Sequence, residues 1–368
     1  MANINWQYYH WHLEPSAVCT LKCPRCPRTE HPETPWLNYN MDLSFVQSFL
    51  TEDMLRNQVR RITMCGDVGD PIYCKEYIDI CRYIKSINPK IHIFTVTNGS
   101  HKKPEWWAEL GSVLNQYDTV NFSIDGYDQA TNNLYRVNSN WDSIINGITA
   151  LRKSNAEVFI NWATIVFSFN QHHIDTIKQQ ATTLGLDGLQ LTKSTKFGSK
   201  YGEAYQGVND TLEPDPEWVS GSHRYERELI DISHRQQNNQ EYIEHNQQMY
   251  QKIKQQYQGQ PIVPMCEIGN RGLYVNAEGV VFPCSWTSFP YHSLSNDNKT
   301  IHWQDSFFAQ YRERMNLRVR SLEEIVQDPL WRLCSRGWTD STKTWVECGQ
   351  KCNQSLVDQE YSVGWLTN

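Results

Sequence analysis

The chain has 368 residues, 34 basic against 41 acidic, and its formal charge of −7 is spread without long blocks of one sign. That balance argues against nucleic acid as the main partner, because phosphate binding needs a basic face. No apolar run approaches membrane-spanning length and no basic-then-apolar leader follows Met1, so no membrane partner is expected and the chain is read as cytoplasmic.

From Trp6 to about Leu191, short β-type runs alternate with amphipathic helical stretches. The patterning predicts strands at Gln7–Glu14, Arg60–Cys65, Ile91–Thr97, Thr119–Asp125, Val158–Phe167 and Leu189–Thr192. Between them it predicts helices over Leu43–Leu55, Ile72–Ser86, Glu105–Gln116, Trp141–Lys153 and His172–Leu184. Asp42 and Pro104 are expected to start helices, and Gly185 to cap the last one. Repeated βα units favour an α/β fold with a parallel sheet and helices outside it. Six units are too few for a closed eight-stranded barrel. Residues 199–260 read as a connector that opens with Gly202, Gly207, Pro214 and Pro216. It continues into a solvated helix carrying Tyr242, Met249, Ile253 and Tyr257 on one stripe. Beyond Cys266, two short runs predict a hairpin with its turn at Asn276–Gly279, and Ser321 to Glu324 reads as a capping box. The expected divisions are therefore 1–198, 199–260 and 261–368.

Eleven cysteines in a reducing compartment are better explained by metal ligation than by disulfides. Cys19, Cys23 and Cys26 are spaced C-x3-C-x2-C, which brings three soft thiolate ligands onto one short loop after the first strand. On a four-iron cluster, three protein ligands leave one iron open for a substrate or cofactor. The alternative is a zinc knuckle with His31 as fourth ligand. Cys65 ends the second strand, and Cys74 and Cys81 share one helical face that reads as core.

The three-cysteine spacing resembles the defining motif of the radical S-adenosylmethionine (SAM) enzymes, although Arg25 stands where that family usually has an aromatic residue. The resemblance implies a partial (βα)6 TIM-like barrel, a SAM-cleaving 4Fe-4S cluster held by Cys19, Cys23 and Cys26, and SAM chelated to its open iron. Gly66-Asp-Val-Gly69-Asp70-Pro71 resembles the family's GGEP strand end, with Asp70 in place of Glu. Thr97-Asn98-Gly99 and Ser123-Ile-Asp125-Gly126 resemble its next two strand ends. Gly66, Gly69, Asp70, Thr97, Asn98, Ser123, Asp125 and Arg136 are then expected to bind SAM, with Arg136 on the SAM carboxylate. Cys65 falls where some members use a free cysteine to donate a hydrogen atom, and its bland alternative is a small buried hydrophobe.

The pattern Cys266, twelve residues, Gly279, four residues, Cys284 resembles the opening of the SPASM/twitch domain. It implies a small twitch-type domain, a β-hairpin plus helix, with one auxiliary 4Fe-4S cluster on Cys266, Cys284, Cys348 and Cys352, and Cys334 to spare. The family reading is an oxidoreductase or peptide-modifying enzyme that reductively cleaves SAM to a 5′-deoxyadenosyl radical and abstracts hydrogen from a peptide or protein segment. A flavodoxin- or ferredoxin-like reductant is the expected partner. Two other readings stay open: dehydrogenation of a small alcohol such as an aminocyclitol, and a non-enzymatic iron–sulfur electron carrier.

Overall fold

A computed structural model describes residues 9–30, 32, 37–193, 212–214, 227–232, 240–264, 266, 273–288, 311–340, 344–345, 348–349 and 352–353. His31 and most of 199–239 lie outside the described residues. The chain forms two compact units. One takes Met1–Cys19, His31–Phe94 and Gln237–Asn368, the other Thr20–Glu30 and Thr95–Gln236.

In the first unit, β1 (His10–Leu13) lies between β2 (Arg61–Met64) and β8 (Leu273–Val275), parallel to both. The hairpin expected after Cys266 is present: β8 turns through Asn276–Gly279 into β9 (Val281–Phe282). Its first strand extends the sheet beside β1, so the C-terminal region is built into the barrel sheet. Nothing in the local pattern of Leu273–Val275 shows this, because parallel pairing is set by neighbours distant in sequence. The first residues of β3 (His92–Thr97) belong to this unit and its last three to the other. The other unit holds β4 (Thr119–Ser123), β5 (Phe159–Val166) and β6 (Gly188–Lys193), with parallel β4–β5 and β5–β6 pairs. A strand that patterning missed, β7 (Arg227–Asp231), closes the edge antiparallel to β6.

Helix ends follow local chemistry. Asp42 accepts from the Phe45 N–H at 2.8 Å and starts α2 (Leu43–Phe49). The single helix expected over 43–55 is two, because Thr51 caps a new one, α3 (Glu52–Asn57). Pro104 opens α5 (Pro104–Val113), and Gly185, at φ +70°, ends α8 (Ile174–Thr183). The reciprocal Ser321–Glu324 box starts α10 (Leu322–Val326). The remaining described α-helices are α1 (Pro27–Glu30), α4 (Tyr77–Ile87), α6 (Gln129–Asn132), α7 (Trp141–Ser154), α9 (Gln240–Gln256) and α11 (Trp331–Thr339).

Strand β1 shows how the core and the inner face divide. Trp11 and Leu13 are fully buried, and Trp11 packs on Phe49 with ring centroids 5.7 Å apart. The alternate residues His10 and His12 point the other way, where His10 Nε2 meets Thr63 Oγ1 at 2.9 Å. His92 is also buried, edge-on to Phe94, and burial foremost, then Arg61, Lys85 and His10, depress its pKa well below 6.5. His12 shifts in the same direction, again through burial. As pH falls through 6.5 the unfolded chain takes up these protons first, so stability is present above that pH and is lost below it. We expect the urea midpoint to fall between about pH 7.5 and 5.5, with a shallower fall in His92→Gln. An unchanged slope in that variant would show that His92 does not carry the effect.

Candidate active site

The second unit holds the cysteine loop from Thr20 onward. Cys23 is buried between exposed Lys22 and Pro24, while Cys26 is partly exposed just before α1. The Cys26 N–H donates to Cys23 O at 3.1 Å, and the Thr29 and Glu30 N–H groups return to Cys26 O. The loop is clipped to the turn after α6: the Lys22 N–H donates to Val137 O at 3.0 Å, and Asn138 Nδ2 donates to Thr20 O at 2.8 Å. From this turn Arg136 Nε donates to Asp125 Oδ2 at 2.6 Å. Asp125 is fully buried and also accepts from the Ile165 N–H at 2.7 Å, and its own N–H and that of Gly126 donate to Asn132 Oδ1.

Burial pushes the Asp125 carboxyl up and Arg136 opposes it. Burial also pushes the Cys23 thiol up to about 11, again against the pull of Arg136. For Arg136 itself, burial is outweighed by Asp125 and Cys23, which raise its pKa and keep it charged. Arg136, expected on the SAM carboxylate, is thus already bound to Asp125 and stands beside Cys23. Ser123 sits partly exposed at the end of β4, opposite Ala163. Thr97 and Asn98 are buried and fold their own turn, accepting from the N–H groups of Gly99 at 3.0 Å and Ser100 at 2.9 Å.

In the first unit, Glu14 organises the 66–70 loop. It is fully buried at the end of β1, and its Oε1 accepts from the N–H groups of Val68 at 2.9 Å and Gly69 at 3.1 Å. Its Oε2 accepts from the Ala277 N–H at 3.3 Å. Sequence reading passed over Glu14 as the last residue of a strand. A carboxylate at the C-terminal end of a parallel barrel strand is the signal that would have marked it. A Cβ on Gly69 would sit 1.8 Å from Ser16 O, so only glycine lets this loop lie against the chain leading to partly exposed Cys19. Gly66 is similarly confined by Gly69 O and Glu14 Oε1. Asp70 is buried; its Oδ1 accepts from the Ile72 N–H at 3.2 Å and caps the single turn Pro71–Tyr73.

Cys65 is partly exposed, unlike Cys74 and Cys81, which are core. Its carbonyl accepts from His12 Nε2 at 2.8 Å. A carbonyl cannot donate, so His12 carries its proton on Nε2 and presents Nδ1 as an acceptor. Tyr274 is buried and lies edge-on to His12 at 4.8 Å.

Among the C-terminal cysteines, Cys352 belongs to an apolar cluster with Ile253, Tyr257, Ile262, Val263 and Trp338, and Cys266 and Cys348 pack against it. The Cys352 N–H donates to Cys348 O at 2.8 Å and the Val263 N–H to Cys352 O at 2.9 Å. Cys284 is held separately by Thr287, whose hydroxyl donates to its carbonyl at 2.7 Å. Cys334 lies on α11.

Among the described residues no three His, Cys, Asp or Glu side chains converge as a metal site. The case for the N-terminal cysteines rests on donor chemistry: three soft thiols spaced C-x3-C-x2-C in sequence, none in a disulfide, with a guanidinium beside Cys23. That set fits an iron–sulfur cluster.

Residues 13–179 match the sequence model of the Radical SAM superfamily. Over that segment the chain is similar to a superfamily whose members are enzymes using a 4Fe-4S cluster and SAM. Its fold is similar to that of native anSMEcpe solved with AdoMet and the Cp18Cys peptide (TM-score 0.52, 15% identity, 94% of this chain and 86% of that one). It is also similar to Streptococcus suis SuiB bound to S-adenosylmethionine (TM-score 0.52, 14% identity, 89% of this chain and 65% of that one). No curated protein matches the chain in sequence. No helix among the described residues is long and apolar enough to cross a membrane.

Arg136→Ala would strand the Asp125 carboxylate in the interior, and we expect it to cost about 3–5 kcal/mol in urea unfolding. A loss under about 1 kcal/mol would mean that water reaches the pair.

Proposed function

We propose that the protein reductively cleaves SAM and abstracts hydrogen from a peptide or protein segment. The observation that carries this reading is the three-cysteine loop inside the segment that matches the Radical SAM superfamily. Cys19, Cys23 and Cys26 would hold the SAM-cleaving 4Fe-4S cluster. When bound, that group supplies the electron that converts SAM to a 5′-deoxyadenosyl radical. The chain's own contribution is orientation and exclusion of water. Arg136, fixed by Asp125, places a positive charge beside Cys23 and favours the thiolate that ligation requires. Glu14 holds the Val68 and Gly69 amides, and with them the loop proposed to meet the SAM amino group. Gly66, Asp70, Thr97, Asn98, Ser123 and Asp125 complete the proposed SAM contacts.

The auxiliary 4Fe-4S cluster is proposed on Cys266, Cys284, Cys348 and Cys352. The apolar cluster that gathers three of these residues supports it. A peptide substrate is favoured by the long amide- and tyrosine-rich connector, which suits an extended chain better than a sugar-sized alcohol. The fold likeness to a protein solved with a peptide is consistent with that choice. Cys65, partly exposed at a strand end, is proposed as a hydrogen-atom donor. The reductant is proposed to be flavodoxin- or ferredoxin-like, and the compartment the cytoplasm.

Anaerobically reconstituted protein is expected to carry about eight iron and eight sulfide per chain, from two four-iron clusters. With SAM and dithionite it should form 5′-deoxyadenosine, and the Cys19/Cys23/Cys26→Ala variant should form none while keeping about four iron. Undiminished 5′-deoxyadenosine from that variant would end the reading. A wild-type iron content near four would remove the auxiliary site alone.

A further inference from the structure

We propose that Asn121 and Asn161 form a subsite for a neutral carboxamide, the side chain of a Gln or Asn in the bound peptide. This rests on the reading of the substrate as a peptide and names a side chain by which one is selected.

The subsite lies on one face of three neighbouring strands of the second unit. Along β4 and β5 successive side chains alternate between faces. Phe122 packs on Trp107 of α5 with ring centroids 5.0 Å apart, and Trp162 packs on Trp141 of α7 at 6.1 Å. Asn121, Ser123, Asn161 and Ala163 alternate with these two and therefore face away from the helices. Pairing places Gly188 beside Asn161 and Gln190 beside Ala163, so β6 continues the same face. Two rows result. One is Asn121, Asn161 and Gly188; the other, nearer the strand ends, is Ser123, Ala163 and Gln190.

The deeper row carries an incomplete amide pair. Asn121 is 6% exposed and Asn161 4%. Asn161 Nδ2 donates to Asn121 Oδ1 at 2.5 Å, which uses one atom of each amide. Asn161 Oδ1 is buried and meets no donor among the described residues. The pair also leaves the Asn121 Nδ2 donor unspent. Turning both amides over exchanges the atoms and still leaves one acceptor and one donor. A buried amide oxygen without a donor is costly, and a ligand that brings one removes the cost.

The surroundings are small. Gly188 has no side chain to set beside Asn161, and Ala163, next along β5 on this face, is half-buried like Ser123 and Gln190. A slender group can reach Asn161 end-on past Ala163. A primary carboxamide carries a donor and an acceptor on one planar end, the complement of what the pair offers. A carboxylate lacks the donor, an ammonium lacks the acceptor, and an alkyl group lacks both. Neither row contains a charged residue, and Asp125 and Arg136 beyond the end of β4 are bonded to each other. A charged group would therefore enter without a partner, which disfavours an aminocyclitol here.

The test is a competition among the peptides acetyl-Gly-Gly-Xaa-Gly-Gly, with Xaa Gln, Asn, Glu, Lys, Leu or Ser. They are equilibrated as an equimolar mixture with cluster-loaded protein, and the retained fraction is read by mass spectrometry. The main chain is common to all, so any preference belongs to the side chain. The Gln or Asn peptide should be retained at least about tenfold over the Glu and Leu peptides, with or without excess SAM. Asn161→Leu, which removes the acceptor, and Ala163→Leu, which fills the approach, should each reduce that preference to under about twofold. Ala163→Leu keeps both amides and carries the test if the change at 161 unfolds the protein. No carboxamide preference in the wild type, or one retained in a folded variant, would overturn the subsite and leave SAM cleavage standing. A preference abolished by SAM would overturn it too, by assigning the pair to the nucleotide. If the preference holds but dithionite and SAM yield no 5′-deoxyadenosine, the subsite stands and the catalytic reading falls.

Discussion

The buried Glu14 carboxylate is the constraint on which much of the first unit depends. Both of its oxygens are occupied by backbone amides, two from the 66–70 loop and one from the turn of the C-terminal hairpin. An ionised carboxylate in the interior is costly unless its lone pairs are met by donors, and here the donors come from segments more than 200 residues apart in sequence. The same side chain thus fixes the end of β1, the loop after β2 and the entry to β9. Around it the demand for glycine at 66 and 69 follows from space, since a Cβ at either position would meet backbone or Glu14 itself. The Ser288 hydroxyl donates to Asp67 and adds a second tie between that loop and the residues following Cys284.

In the other unit the organising charge is Asp125. A strand-end carboxylate that accepts from a guanidinium and a backbone N–H, and whose own backbone is held by Asn132 and Asn170, has little freedom to move. Its partner Arg136 is fixed in turn. A guanidinium engaged on one side by a carboxylate retains further N–H donors, so the pair can serve a nearby thiolate without separating. One backbone bond and one from the Asn138 side chain, both from the same turn, hold Lys22 and Thr20, and the cysteine loop takes its shape from a segment more than 100 residues downstream.

Much of this was legible in the sequence where the signal is local. The caps at Asp42 and Ser321, the proline start at Pro104, the glycine stop at Gly185 and the turn before Gly279 are set by chemistry within a few residues, and each is where patterning places it. The six parallel strands are found to within a few residues of their expected ends. What sequence reading missed depends on distant partners. β7 pairs with β6 across a long excursion, β8 joins β1 from the far end of the chain, and Glu14 acquires meaning only when the 66–70 loop arrives. The tie between Arg136 and Asp125 shows the same limit, since eleven residues separate the two and no local signal joins them.

The inner face of the first unit adds a last physical distinction, between cysteines that only pack and one that is presented. Cys74 and Cys81 are as buried as the leucines around them, and the Cys74 thiol is satisfied by Met41 O at 3.2 Å. Cys65 is on the polar side of its strand end, partly exposed, with its thiol 3.7 Å from Gly66 O, a long and weak contact. Its backbone is nonetheless fixed on both sides, by the N–H on Leu13 O and by His12 on its carbonyl. The cysteine is thus positioned by its backbone at the strand end. Hydrophobic filling alone would not require the histidine, whose burial lowers its pKa and whose one hydrogen bond is spent on holding this residue in place.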